Sequence, residues 1–83
     1  MIANRKLQYI PEVKGIYGPR VWVDMYDYKL CHFLKPLSIW NSHTDTKVEG
    51  NMYYYLFELP FDILDNELIK KAFNRLGVEL CEI

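Results

Sequence analysis

"NMYYYLFELPF", residues 51–61, is the densest run of aromatic side chains in the sequence. In an extended strand, successive side chains point to opposite faces. That puts Tyr53, Tyr55, Phe57 and Leu59 on one side and Met52, Tyr54, Leu56 and Glu58 on the other. Glu58 is the only charge, so neither side reads as water-facing. Pro60 ends the ladder because it has no N–H to donate. Such a strand needs cover on both faces, and what the rest of the chain offers as cover decides the fold.

Downstream, Leu68, Ile69, Ala72, Phe73 and Leu76 recur at spacings of three and four, one apolar stripe of a helix over about 65–76. Asp62 or Asp65 can cap it, and Asp65 and Glu67 suit the positive end of its dipole. Lys70, Lys71 and Arg75 lie off the stripe, Gly77 follows as a natural C′ residue, and "VELCEI" (78–83) reads as a final strand. Upstream, "RVWVDMYDYKL" alternates Val21, Val23 and Met25 against Trp22, Asp24, Tyr26 and Tyr28, which predicts a strand over 20–30. "RKLQYI" (5–10) is a weaker first strand, residues 11–19 are turn or loop, and a short strand is expected around Ser38 to Trp40 before the polar "NSHTDT" loop. The expectation is a single α+β domain over 1–83: a small antiparallel or mixed sheet of three to five strands, with one helix in the C-terminal half on one face and no second helix.

One helix covers one face. The smaller aliphatics suit that side, which puts Trp22, Tyr26 and Tyr28, with Tyr53 and Tyr55 or else Tyr54, on the far face. Either the N-terminal segment or the 36–50 loop folds over these rings, or a partner or second copy of the chain covers them. Tyrosine suits such a surface, since its ring packs while its hydroxyl stays wet. Two loop aromatics join the candidates. Tyr17 lies between Gly15 and Gly18 and is flanked by Lys14 and Arg20, and Trp40 precedes "NSHTDT". Tyr, Trp and Arg dominate interface hot spots. The candidate contact set is therefore Tyr17, Arg20, Trp22, Tyr26, Tyr28, Trp40, Tyr53 and Tyr55.

Composition bounds the function. With 83 residues, 51% of them hydrophobic, the chain makes one thin core and is too apolar for a disordered protein. Net charge is −1, with a weak asymmetry in which Arg5, Lys6, Lys14 and Arg20 near the beginning face only Glu12, far from the footprint of a phosphate binder. No apolar run is long enough for a membrane span, and Ile2, Ala3, Asn4, Arg5 and Lys6 after Met1 are not the apolar core of a signal peptide. Cys31 and Cys81 then read as free thiols in a reducing, cytoplasmic compartment, with a disulfide as the alternative.

Cys31-His32 and His43-x-Asp45 contain nucleophile, base and orienting acid. Adjacent residues on a strand point apart, so Cys31 would have to find His43 rather than His32. Paired zinc-ligand spacing is missing, as are a Walker loop and GxGxxG, and Glu79 and Glu82 read as solvating an edge strand. No cofactor, metal or catalytic residue is expected. A single-stranded nucleic-acid binder would stack bases on Trp22, Tyr26, Tyr28 and Tyr53 beside Arg5, Lys6 and Arg20, but Asp24, Asp27 and Glu58 would repel the phosphates. The leading expectation is a small non-catalytic protein-binding module: an inhibitor, adaptor or regulator of the kind phages and mobile elements encode. A nucleic-acid-binding domain and a small Cys31/His43 enzyme are the alternatives.

Overall fold

The computed structural model describes residues 5–60, 62 and 65–82. Along them run β1 (Arg5–Ile10), β2 (Arg20–Asp24), helix α1 (Tyr28–Leu34) with a 3-10 turn after it (Lys35–Leu37), β3 (Asp45–Glu49), β4 (Met52–Glu58), helix α2 (Glu67–Leu76) and β5 (Val78–Glu82). The strands form one mixed sheet in the order β3-β4-β2-β1-β5, antiparallel except for the β1–β5 pair. This is the small α+β sheet that the pattern predicts, with the C-terminal helix on one face. Phe61 of the aromatic run and Ile83 of the final strand lie outside the described residues.

The expectation of a single helix is wrong. The strand over 20–30 stops at Asp24, and α1 begins four residues later. The cause is a pair of aspartates. Asp24 Oδ1 accepts from the Tyr26 backbone N–H at 2.9 Å, and Asp27 N donates to the Asp24 carbonyl at 3.0 Å, turning the chain. Asp27 then caps α1, its carboxylate accepting from Leu30 N at 3.3 Å. Leu30 and Leu34, fully buried, are the helix's apolar stripe. The strand expected around Ser38 to Trp40 is also missing. Those residues form a turn held by buried Ser38, whose Oγ donates to the Lys35 carbonyl at 2.7 Å, and the strand begins only at Asp45.

Helix α2 differs in detail. Its cap is Asn66, accepting from Ile69 N at 3.2 Å, rather than Asp62 or Asp65. Leu68 is 78% exposed, so the buried stripe narrows to Ile69 and Phe73, with Ala72 and Leu76 half-buried. Gly77 is the left-handed C-cap, at φ 71°.

Register assigns the faces. Val21 pairs with Phe57 and Tyr9, Val23 with Tyr55, and Leu7 with Leu80. These side chains face the helices and pack with Leu30, Leu34, Ile69 and Phe73 into one core. Each fully buried aliphatic there contributes roughly 1.5–3 kcal/mol. Trp22 stands opposite Leu56 and Gln8, and Lys47 opposite Tyr54, on the helix-free face. Tyr54 is therefore the tyrosine that joins Trp22, while Tyr53 and Tyr55 point to the helix side. Tyr26 and Tyr28 leave the sheet altogether.

Arg5 ties these layers together. From β1 its Nε donates to Asp27 Oδ2 at 2.7 Å, at the α1 cap, and its Nη1 donates to the Leu76 carbonyl at the end of α2. The guanidinium thus neutralises one helix's capping carboxylate and the other's negative end.

Candidate binding groove

Helix α1 has seven residues, about 10 Å at 1.5 Å per residue, too short to cover the helix side of the sheet out to its edge. Beyond it the β3–β4 hairpin continues through Gly50 (φ 60°), the first central residue of its two-residue turn. Val48 and Tyr53 at this end are 59% and 42% exposed. Between α1 and the hairpin lies an open groove of about 420 Å³.

Its floor is Tyr55 and Phe57 of β4. One wall is the β2–α1 turn and α1 itself, presenting Tyr26, Tyr28, Cys31 and His32, with Lys35 beyond. The opposite wall is Ser42 and His43 from the connection before β3. The His43 ring stacks on Tyr55 at 4.0 Å between centroids and 21° between planes. Tyr26 meets Tyr53 edge to face, with centroids 6.1 Å apart, beside a Met25 N–H to Tyr53 carbonyl bond of 2.9 Å. Three of the eight sequence candidates, Tyr26, Tyr28 and Tyr55, thus line the groove, and a fourth, Tyr53, adjoins it through Tyr26.

Tyr17, Arg20 and Trp40 gather on the helix-free side, around Glu58. Trp40 Nε1 donates to Glu58 Oε1 at 3.2 Å and Gly18 N to Glu58 Oε2 at 2.8 Å, while the Arg20 guanidinium sits over the Tyr17 ring at 4.1 Å. These residues, with Thr44 and Asp45, border a recess over Leu56. Leu56 is only 5% exposed although no helix among the described residues lies on its side, and Tyr17, Trp40 and Thr44 of the 11–19 and 38–44 loops border it. Trp22 is covered differently. Lys47 Nζ stands 4.5 Å from its ring centre and 5.4 Å from that of Tyr54, and donates to Gln8 Oε1 at 2.6 Å.

The proposed Cys–His–Asp constellation separates. Cys31, His32 and His43 share the groove, but Asp45 borders the recess on the opposite face. The Cys31 thiol donates to the Asp24 carbonyl at 3.5 Å, and burial, then the Asp27 and Asp24 carboxylates, push its pKa up to about 11. That is the wrong direction for a thiolate nucleophile. Both cysteines are free thiols, and among the described residues no three His, Cys, Asp or Glu side chains converge as metal ligands. No helix among the described residues is long and apolar enough to cross a membrane.

Sequence reasoning missed His32, Lys35 and His43 as groove residues. Tyr28 and His32, four apart, form the outer side of α1 with Lys35 just past its end, and that signal was hidden by reading the segment as a strand. Against protein-family models, curated proteins and solved structures, the chain matches none, and the groove's own geometry carries the functional reading.

Proposed function

We propose that the protein is a non-catalytic protein-binding module that seats a protein partner, or a second copy of itself, in the groove between α1 and the β3–β4 hairpin. The observation that carries this is the exposure of Tyr26, Tyr28 and Tyr53 (62%, 65% and 42%) around a formed apolar floor. Tyr26 and Tyr53, already packed edge to face, lose little freedom on docking, and aromatic anchors supply most interface energy. Two free thiols fit a reducing, cytoplasmic setting, and an inhibitor, adaptor or regulator is the role such a module would play.

The nucleic-acid reading has less support. Trp22 is occupied by Lys47, and two of the three cations that would meet phosphates are engaged, Arg5 with Asp27 and Arg20 with Tyr17, which leaves exposed Lys6.

The test is affinity capture from host cells with cross-linking, together with sedimentation of the purified chain. The wild type and Trp40→Ala should retain the same cross-linked partner or self-association. The Tyr26→Ala/Tyr53→Ala double variant should lose it with an unchanged circular dichroism spectrum. Loss with Trp40→Ala and retention by the double variant would move the docking surface to the opposite face.

A further inference from the structure

We infer that the groove selects a partner segment carrying a carboxylate side chain next to an aromatic one. This rests on the docking reading above and adds the chemistry of the occupant.

The groove is basic in a chain whose net charge is −1. No carboxylate lines the groove, whereas His32, Lys35 and His43 all do. The two nearby acids do not line the groove, although their charge reaches Cys31 in it. Asp24 Oδ1 accepts from Tyr26 N, and Asp27 holds Arg5 while capping α1. Lys35, by contrast, makes no ion pair among the described residues. Its ammonium is a fixed positive charge at the rim, and each imidazole keeps at least one N–H donor in either protonation state. The floor asks for something else, since Tyr55 and Phe57 offer ring faces and edges to an apolar or aromatic group. A volume of about 420 Å³ holds one large side chain with its neighbouring backbone. The recess on the other face carries two carboxylates, Glu58 and Asp45, beside one cation, Arg20, so the preference belongs to one side of the molecule.

The experiment is an amide-resolved NMR titration of the ¹⁵N-labelled chain with three capped dipeptides: acetyl-Glu-Phe-amide, acetyl-Gln-Phe-amide and acetyl-Lys-Phe-amide. The acidic peptide should shift the amides of Tyr26, Cys31 and His43 and bind about threefold more tightly than its isosteric Gln counterpart, the gain of one exposed ion pair. Lys35→Glu and Lys35→Met should erase that difference without altering the rest of the spectrum. Equal binding of the Glu and Gln peptides at the groove overturns the acidic preference and leaves the docking reading standing. Failure of every peptide to move groove amides overturns both. Sedimentation showing that the wild type dimerises through this groove, and loses the dimer with Tyr26→Ala, overturns the inference in favour of a second copy as occupant.

Discussion

Lys47 Nζ, on the edge strand β3, stands 4.5 Å from the centre of the Trp22 ring, although β4 lies between their strands. The same ammonium reaches Gln8 Oε1 on β1 and Glu49 Oε1 on its own strand. One side chain therefore lies across the middle of the helix-free face. Its removal should expose Trp22. Lys47→Met in a Trp40→Phe background is expected to cost about 0.5–2 kcal/mol, the range of a cation–π contact, and to make Trp22 fluorescence easier to quench with acrylamide. Unchanged quenching would mean that the lysine does not shield the ring.

The two thiols should react very differently. Cys81 is exposed on β5, whereas Cys31 has a pKa near 11 in place of the ordinary 9.0. At pH 8, Cys31 then carries about one-hundredth of the thiolate of an ordinary cysteine. Iodoacetamide labelling followed by peptide mass analysis should show Cys81 modified first by a wide margin. The sign for stability follows. The unfolded chain loses the thiol proton near pH 9 while the folded chain keeps it until about pH 11, so this contribution is complete below pH 9 and is lost between the two. Cys31→Ala should flatten that part of the stability–pH curve, and an unchanged slope would contradict the assignment.

The α2 cap is a single side chain. Asn66→Ala removes the acceptor for Ile69 N and is expected to cost about 1 kcal/mol in urea unfolding, while Asn66→Asp should be close to neutral. Equal losses for both would shift the explanation from the cap to the surrounding segment.

Two glycines separate backbone conformation from crowding. Gly15 has φ +79° and open space where a Cβ would sit, so Gly15→Ala meets only the left-handed penalty, about 1 kcal/mol. A Cβ on Gly18 would sit 2.7 Å from the Leu59 carbonyl oxygen, a backbone atom that cannot swing away. Gly18→Ala should therefore cost more, about 2–3 kcal/mol, and loosen the Glu58 contact to the loop. Equilibrium unfolding of the two variants side by side checks the order.

Much of the fold could be read from residue spacing, because β4 and α2 carry long, unmixed periods with clear stops at Pro60 and Gly77. The failure lies in residues 24–35. There β-propensity and alternation pointed to a strand, while two short-range aspartate bonds turned the backbone and started a helix. Propensity is an average over environments, but a side-chain oxygen three residues from an N–H is a specific local competitor. The candidate site suffered for the same reason. Its tyrosines were recognised by type, yet Tyr26 and Tyr28 were placed on the wrong face, and the histidines and lysine beside them were missed. Trp22 was expected on the far face with Tyr53 and Tyr55 or else Tyr54, and only the three-dimensional register selects Tyr54 and brings Lys47 over both rings.

The parallel pairing of β1 with β5 matters for the order of assembly. Arg5 pairs with Val78 and Tyr9 with Glu82, contacts that join nearly opposite ends of the described chain. The antiparallel β3–β4 hairpin and α1 involve near neighbours and can form early, but this pair must wait for the longest loop closure in the molecule. During synthesis β1 stands with one side unpaired until the last strand emerges, a nascent edge able to capture any extended segment nearby. The polar and charged side chains Lys6 and Gln8 that alternate along β1 oppose such capture and hold the place for β5.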